Sequence, residues 1–244
     1  MKAMIFAAGL GTRLKPFTLS KPKALAEING VTLLEIAIKR LVFFGFNDII
    51  INIHHFPQQI IDFLERNNNF NTSITISNES AQLLDTGGGL KKAAHFFNDG
   101  KPFLVHNVDI VSNIDLELLY NTHLQSYNCL ATLACMERKS ARQFLVNNNH
   151  ELCGWQNSNT NEIKISRENE PFLQATSFCG VQVISCDLLN QITESGMFSM
   201  IDVYLRLAKT QVIKTFEFKN ITWLDLGTPE SLTKACALKR ELGL

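Results

Sequence analysis

The chain has 244 residues, of which 45% are hydrophobic and 19% are charged, so a substantial core can form and an intrinsically disordered chain is excluded. Lysine plus arginine equals aspartate plus glutamate at 23 each, without the basic excess that is typical of nucleic-acid-binding proteins. No stretch reaches the roughly 18 apolar residues of a membrane span, and the apolar run at the N-terminus is too short for a signal peptide. We therefore expect a cytoplasmic protein that binds neither nucleic acid nor membrane.

Short apolar strands alternate with amphipathic helices in the first half of the chain. Apolar residues recur at helical spacing over 33–44, whereas 3–8 and 48–53 are the short apolar runs of buried strands. Strict alternation of strand and helix favours a mostly parallel sheet that is covered on both faces. The predicted strands of this half are 3–8, 48–53, 74–77, 102–106 and 129–134, and the predicted helices are 33–44, 58–66, 90–97 and 116–126.

After about residue 137 the pattern changes to a hairpin with polar turns, followed by mixed strands and helices. We find no repeat, low-complexity segment or linker, so the simplest interpretation is one domain over 1–244 with halves at 1–136 and 137–244. Ligands of such sheets bind beyond the carboxyl ends of the strands. The predicted strands of the second half are 144–146, 151–155, 176–185 and 212–218, and the predicted helices are 188–193, 200–209 and 229–242.

The first predicted strand leads into a glycine loop, residues 8–13, that is followed by a second cation. Gly9 and Gly11 let the backbone turn tightly and approach a ligand, and successive free N–H groups in such a loop form a concavity for anions. Arg13 adds a planar cation that suits phosphate oxygens, and Lys23 follows ten residues later. The loop therefore has the chemistry of a phosphate site.

Three other interpretations of this loop compete with a phosphate site. A dinucleotide fingerprint needs a third glycine, and Leu14 stands in its place. A Walker loop needs Gly-Lys-Ser/Thr, which is also missing. A plain strand-to-helix turn explains the glycines alone, but not the two cations and two prolines that follow within fourteen residues. A phosphate loop is favoured.

Two aspartates each close an apolar run. Asp109 follows the strand at 102–106, and Asp225 follows the apolar residues 221–224 and precedes a helix. For either one alone, a helix cap or turn aspartate is an equally good explanation. Together, beside a phosphate loop, they fit a Mg²⁺ site better, because Mg²⁺ is usually held by one or two carboxylates plus phosphate oxygens and water.

The segment from Ala8 to Thr18, Ala-Gly-Leu-Gly-Thr-Arg-Leu-x-Pro-x-Thr, followed by Lys-Pro-Lys at 21–23, resembles the signature of the sugar nucleotidyltransferases. That family is also called the nucleotide-diphospho-sugar pyrophosphorylases, and the resemblance extends over essentially the whole chain. It is strongest to the N-acetylmuramate-1-phosphate uridylyltransferases and the mannose-1-phosphate guanylyltransferase-like proteins. It implies a Rossmann-like three-layer α/β fold with a mixed, mostly parallel sheet, a nucleotide-binding half at 1–136 and a sugar-binding half at 137–244.

The resemblance also implies the substrates, a nucleoside triphosphate and a sugar-1-phosphate, and Mg²⁺ as the cofactor. It assigns charge neutralisation on the departing pyrophosphate to Arg13 and contact with the reacting phosphates to Lys23. The backbone that wraps the triphosphate is then that of Ala8, Gly9, Gly11 and Thr12.

Two further motifs support the predicted metal pair. Asn107-Val108-Asp109 resembles the family's Asn-Gly-Asp, with Val108 in place of the usual glycine, and residues 223–228 resemble its Trp-x-Asp-x-Gly-Thr. The resemblance implies that Asp109 and Asp225 share one Mg²⁺, and that Asn107 lies on the sugar side.

Asp-Thr-Gly-Gly-Gly at 85–89 precedes a helix. From the residues alone, these glycines fit a surface that lies flat against a nucleobase and a flexible helix entrance equally well. Related transferases contact the base with a similar segment, which implies base contacts from Thr86, Gly87 and Gly88. Glu79, on the preceding segment, is a further candidate.

The sugar side is less well defined by the sequence. The resemblance implies that the backbone at Gly180 approaches the sugar, whereas the family's Glu-Lys pair for the sugar phosphate has no clean match, leaving Lys164 and Arg167 as possibilities. UTP with N-acetylmuramate-1-phosphate or a related hexose-1-phosphate is the expected reaction, with guanylyl or cytidylyl transfer as the alternative. A non-catalytic nucleotide-sugar sensor is the alternative of another class. We expect a monomer or small homo-oligomer.

Overall fold

The computed structural model describes residues 1–168 and 170–237. Within these residues the strands are β1 (Lys2–Phe6), β2 (Glu27–Ile28), β3 (Val31–Thr32), β4 (Asp48–Ile53), β5 (Ser73–Asn78), β6 (Phe103–Asn107), β7 (Ile110–Ser112), β8 (Cys129–Met136), β9 (Arg142–Val146), β10 (Leu152–Asn157), β11 (Glu162–Ile165), β12 (Gln174–Ile184), β13 (Val212–Glu217) and β14 (Trp223–Asp225). The helices are α1 (Leu33–Phe43), α2 (Pro57–Arg66), α3 (Asp85–Ala93), α4 (Leu116–Gln125), α5 (Cys186–Leu189), α6 (Met200–Leu207) and α7 (Pro229–Ala237).

A ten-stranded mixed sheet runs through the described chain in the order β11-β10-β9-β12-β6-β1-β4-β5, with β8 attached beside β12 and β13 beside β8. Strands β6, β1, β4 and β5 are parallel to one another. Strand β12 is antiparallel to β6, β8 and β9, so it joins the two halves of the sheet. The sheet therefore crosses the boundary near residue 137 without interruption.

Helices cover both faces of the sheet, because successive residues of the central strands alternate between two apolar cores. In β1, Ala3 and Ile5 face the core beneath α1, α2 and α4, whereas Met4 faces the core beneath α3 and α6. In β4, Ile50 belongs to the same core as Met4. This three-layer arrangement confirms the predicted α/β fold with a mixed central sheet.

Most long elements lie within a few residues of their predicted positions. Helix α1 begins after Thr32, whose hydroxyl accepts a hydrogen bond from the Glu35 N–H at 3.1 Å. Helix α4 begins in the same way after Asp115, which accepts from the Leu118 N–H at 2.8 Å. Helix α3 begins five residues before its predicted start at 90, and β2, β3, β7, β11 and β14 were not predicted. The predicted residues 238–242 of the last helix lie outside the described residues.

None of the helices in the described ranges is both long enough and apolar enough to cross a membrane.

Candidate functional site

A cavity of about 360 Å³, here called the main cavity, opens at the carboxyl ends of β1 and β6. The ends of neighbouring parallel strands meet there, as expected for the binding edge of such a sheet. Its walls come from the glycine loop, one residue of β4, the segment before α3, the end of β6 and two later loops. The lining residues are Phe6, Ala7, Ala8, Gly9, Gly11, Thr12, Arg13, Lys23, Asn52, Leu83, Asp85, Thr86, Asn107, Val108, Asp109, Met197 and Gly227.

The two glycines of the loop have different physical requirements. Gly11 has a φ of +60°, and a Cβ there would lie 2.8 Å from Thr18 Cγ2 and 2.9 Å from Lys23 Cβ. Glycine is required at this position, because the left-handed backbone conformation disfavours other residues and a Cβ would collide with these neighbours. A Cβ at Gly9 would meet nothing within 4 Å, although Gly9 also lines the main cavity. The folded chain therefore tolerates a side chain at Gly9, and the space beside it is open to a ligand.

The Lys23 ammonium group contacts the Asp109 carboxylate directly inside the main cavity. Both side chains are largely withdrawn from solvent, with 10% and 21% of their side-chain surface exposed. The second predicted cation, Arg13, pairs with the second predicted carboxylate, Asp225, at 3.5 Å. Each carboxylate is thus paired with one of the two predicted phosphate-binding cations.

A short two-stranded ribbon brings the backbone segments of the two aspartates together. Strand β14 pairs antiparallel with β7, so that Asp225 lies opposite Ile110, and the Leu226 N–H donates to the Asp109 carbonyl at 2.8 Å. Asp109 and Asp225 therefore sit on adjacent backbone segments. A Cβ at Gly227 would lie 2.5 Å from Arg13 Nη2 and 2.8 Å from Asp225 Oδ1, so a side chain there would displace these two charged groups.

The residues present fit a Mg²⁺ ion. Asp225 Oδ1 is buried and has no hydrogen-bond partner among the described residues, which is costly unless a ligand completes its coordination. No group of three or more His, Cys, Asp or Glu side chains in the described part of the chain could hold a metal. Two carboxylates suffice when substrate phosphates and water supply the other oxygens, as is usual for Mg²⁺.

Val108 does not disturb the turn that carries Asp109. Its backbone φ is outside the left-handed region, its side chain is 5% exposed within the core beneath α1, and its N–H donates to the Phe6 carbonyl at 3.1 Å. The turn therefore does not need the glycine that the family usually has here.

Other parts of the chain occupy the space beside Gly87 and Gly88. A Cβ at Gly87 would collide with Phe198, and one at Gly88 with the carbonyl oxygen of Gly196. The Gly87 N–H already donates to the Phe198 carbonyl at 2.9 Å, and neither glycine lines the main cavity. Close packing of α3 against 196–198 thus accounts for both glycines, whereas Thr86 does line the cavity.

Glu79 lies behind the cavity wall and connects three segments. Its Oε1 accepts from Asn52 Nδ2 at 2.7 Å, and its Oε2 accepts from the Leu84 N–H at 3.3 Å. Asn52 Oδ1 in turn accepts from the Ala7 N–H at 2.8 Å. Burial raises the pKa of Glu79 above its usual value, and the Asn52 hydrogen bond opposes that shift. Its carboxylate therefore links the segment before α3 directly, and the start of the glycine loop through Asn52, and fixes their relative positions.

The signal for Asn52 is visible in the sequence but was not used. A polar residue stands alone in the apolar strand Ile-Ile-Ile-Asn-Ile at 49–53, and Asn52 both lines the cavity and is 2% exposed. A buried polar side chain at the end of such a strand needs partners, which here are the Ala7 N–H and Glu79.

The sugar-side candidates divide into residues near the main cavity and residues away from it. Asn107 lines the cavity, while Gly180 lies behind it, with a φ of +75° and a Cβ position 3.1 Å from Asn107 Nδ2.

Lys164 is bound to Asp202 at 3.1 Å on an exposed edge. Arg167 is held by Glu151 and by the carbonyls of Ala208 and Gln211. Neither of these two cations lines a cavity next to Arg13.

A second depression of about 630 Å³, here called the arginine groove, adjoins the main cavity through Arg13. Sequence reasoning missed it, although the signal Arg-Lys-Ser-Ala-Arg at 138–142 lies where the strand–helix alternation ends. The groove also contains aromatic side chains. Its lining residues are Arg13, Arg138, Ser140, Ala141, Arg142, Gln143, Phe144, Trp155, Asn159, Phe178, Ile201 and Asp225.

Comparison with known proteins agrees with this geometry. The family model described as nucleotidyl transferase matches residues 2–150. An N-acetylmuramate alpha-1-phosphate uridylyltransferase of Neisseria meningitidis is 31% identical over 238 residues, which are 98% of each chain. The mannose-1-phosphate guanylyltransferase catalytic subunit beta of Dictyostelium discoideum is 25% identical over 242 residues, which are 98% of this chain but 64% of that relative.

A solved structure shares the fold. HddC from Yersinia pseudotuberculosis, complexed with GMP-PN, superposes with a TM-score of 0.76 at 24% identity, over 97% of this chain and 98% of its own. With the family model matching more than half of the chain, the resemblance inferred from the glycine loop is confirmed: the chain belongs to the nucleotidyl transferase family, as a sugar-1-phosphate nucleotidyltransferase.

Proposed function

We propose that this protein transfers a nucleoside monophosphate from a nucleoside triphosphate to a sugar-1-phosphate, releasing pyrophosphate in the cytoplasm. The observation that carries the proposal is the pairing of Lys23 with Asp109 in the main cavity, and of Arg13, which lines the same cavity, with Asp225 in the adjoining groove. Two cations and two carboxylates at the end of a glycine loop match what a triphosphate and its metal ion need.

The triphosphate is proposed to lie along the glycine loop. Gly9 leaves open space beside the backbone, and the loop N–H groups together with Arg13 stabilise negative charge on the departing pyrophosphate. Lys23, which packs beside Gly11, is proposed to contact the reacting phosphates. The base is proposed to lie toward Thr86 and Met197, which line the far side of the same cavity.

In the chemical step, an oxygen of the acceptor phosphate attacks the α-phosphorus in line, and the bond to the pyrophosphate oxygen breaks. No general base is required, because a phosphate monoester is already anionic at neutral pH. Catalysis then depends on alignment and on neutralising charge. Mg²⁺ held by Asp109 and Asp225 would supply Lewis-acid neutralisation of the phosphate charge.

For the individual substrates, we propose UTP and N-acetylmuramate-1-phosphate or a related hexose-1-phosphate. The relative named for that reaction matches 98% of this chain and of its own length at 31% identity, whereas the chain spans 64% of the mannose-1-phosphate guanylyltransferase relative. Guanylyl transfer to mannose-1-phosphate and cytidylyl transfer remain the alternatives within the class.

The test is pyrophosphate release with every pairing of four nucleoside triphosphates and a set of sugar-1-phosphates, in the presence of Mg²⁺. One pairing should exceed the others in kcat/KM by at least about tenfold. Nucleotide binding without pyrophosphate release from any pairing would instead support the non-catalytic sensor. The presence of Arg13, Lys23 and Asp109 at one cavity, with Asp225 paired to Arg13, favours the enzyme.

A further inference from the structure

We infer that the arginine groove binds a second anionic group on the acceptor sugar, through Arg138 and Arg142. This inference rests on the proposed function, since it concerns the acceptor side of the same reaction. It would make the preferred acceptor a sugar-1-phosphate that carries a carboxylate or a second phosphate.

The charge of the groove is the first argument. Its lining contains three arginines, and Asp225 is its single carboxylate among the described lining residues. Asp225 is already paired with Arg13. Within the described ranges no carboxylate forms an ion pair with Arg138 or Arg142, although other surface cations, such as Arg206, do have one. Two cations of the groove are therefore available to a ligand.

The fixed orientation of Arg138 is the second argument. Its guanidinium packs over the Trp223 ring at 4.3 Å, and its Nη2 donates to the Phe178 carbonyl at 3.1 Å. Its Nε is buried and has no hydrogen-bond partner among the described residues. A pre-oriented guanidinium with an unsatisfied buried donor is suited to an anionic acceptor, because the donor regains the hydrogen bond lost on burial.

The position of the groove indicates that Arg138 and Arg142 bind a group other than the reacting phosphate. Arg13 lines both the main cavity and the groove, whereas Arg138 and Arg142 line the groove and not the main cavity. The reacting phosphate of the acceptor must approach the main cavity, and so it lies at the Arg13 end. Arg138 and Arg142 then contact a different part of the acceptor sugar.

Aromatic side chains also line the groove, although Phe144 and Trp155 are largely buried in the core. Phe144, Trp155 and Phe178 all line the groove, and the rings of Phe144 and Phe178 lie 5.8 Å apart. A lining of aromatic faces with a few fixed polar groups is the usual composition of small-molecule sites. The groove volume of about 630 Å³ is also within the range of such sites.

Matched acceptors test the inference. N-acetylmuramate-1-phosphate and N-acetylglucosamine-1-phosphate share one ring and differ by a lactyl carboxylate, while glucose-1,6-bisphosphate and glucose-1-phosphate differ by one phosphate. With the preferred triphosphate, the acidic member of at least one pair should have a kcat/KM about 100-fold higher, as expected for one or two charge-assisted hydrogen bonds. Which pair discriminates identifies the anion as carboxylate or phosphate.

Substitutions then assign the effect to residues. Arg142→Met should reduce the ratio of kcat/KM between the acidic and neutral acceptors by at least about tenfold. Arg138→Met should have the same effect. Because Arg138 packs on Trp223, its replacement can also disturb the fold, whereas Arg142 is exposed and its replacement does not affect that packing. Lys139→Met is the control, because Lys139 lies on the same turn but does not line the groove.

The outcomes separate this inference from the proposed function. Equal use of neutral and acidic acceptors, or an unchanged ratio in Arg142→Met, would overturn the second-anion site and leave nucleotidyl transfer in place. Absence of pyrophosphate release with every acceptor would overturn both.

Discussion

The Lys23 ammonium group lies in direct contact with the Asp109 carboxylate at the wall of the main cavity. In this arrangement a residue proposed to hold phosphates neutralises a residue proposed to hold the metal. Arg13 and Asp225 repeat the arrangement at 3.5 Å. A triphosphate that arrives together with its metal ion can exchange partners with both pairs, whereas a metal ion alone must displace a cation.

Replacing Lys23 tests this exchange. Lys23→Met should raise the affinity of the nucleotide-free protein for Mn²⁺ by about tenfold, because Asp109 loses the cation that competes with the metal. Turnover should fall at the same time, because the reacting phosphates lose a contact. The measurement is a titration of free Mn²⁺ by electron paramagnetic resonance.

Lys21→Met is the matched control, since Lys21 is exposed on the same segment and lies over the Phe17 ring instead of a carboxylate. Weaker or unchanged Mn²⁺ binding by Lys23→Met would contradict the exchange.

The two loop glycines give a second prediction. Gly9→Ala should leave the unfolding midpoint near that of the wild type, because its Cβ meets no atom of the chain. It should raise the KM for the triphosphate by at least about tenfold, because the methyl group occupies space proposed for phosphate. Urea unfolding and initial-rate kinetics measure the two effects.

Gly11→Ala should show the opposite pattern. Its φ of +60° and its contacts with Thr18 and Lys23 predict a loss of about 1–3 kcal/mol in the free energy of unfolding. If Gly9→Ala destabilises the fold as much as Gly11→Ala, or leaves the KM unchanged, the phosphate position is wrong.

The buried His123 gives a prediction about pH. Burial lowers the pKa of His123 to about 4 from an ordinary value of 6.5. Its ring nitrogens bond Thr132 Oγ1 and Ser185 Oγ, both at 2.9 Å. Between pH 6.5 and pH 4 the unfolded chain binds more protons at this site than the folded chain, so the free energy of unfolding falls as the pH falls through that window. The loss at pH 5 is about 2 kcal/mol.

His123→Gln should therefore reduce the difference in unfolding free energy between pH 7.5 and pH 5, measured in urea. The difference should not vanish, because burial also lowers the pKa of His106 to about 4. His95→Gln, at an exposed position, should retain the wild-type difference. The same pH difference in His123→Gln as in the wild type would refute the assignment.

Local patterns in the sequence predict the long elements, because each helix buries one stripe and each central strand is buried on both faces. The run of isoleucines at 49–53 and the helical spacing at 33–44 are local patterns of this kind. The ribbon of β7 and β14, three residues in each strand, is too short to show a period. Its pairing depends on residues more than 100 positions apart.

The same limit applies to the site. The motifs predict a loop, two cations and two carboxylates. The loop, both cations and Asp109 line the main cavity, whereas Asp225 lines the adjoining groove. The glycines at 87–88 fit a base-contacting surface in the sequence, but their neighbours Gly196 and Phe198 come from the second half of the chain. Such a contact has no local signal. Glycine is also a poor helix former, so the start of α3 at Asp85 was placed too late.

Pyrophosphate release by Asp109→Asn, compared with the wild type at saturating substrates and Mg²⁺, tests the central claim most directly. We expect turnover to fall by at least about 10³-fold while circular dichroism and the unfolding transition remain those of a folded protein. A folded Asp109→Asn variant that turns over at the wild-type rate would contradict the proposed site.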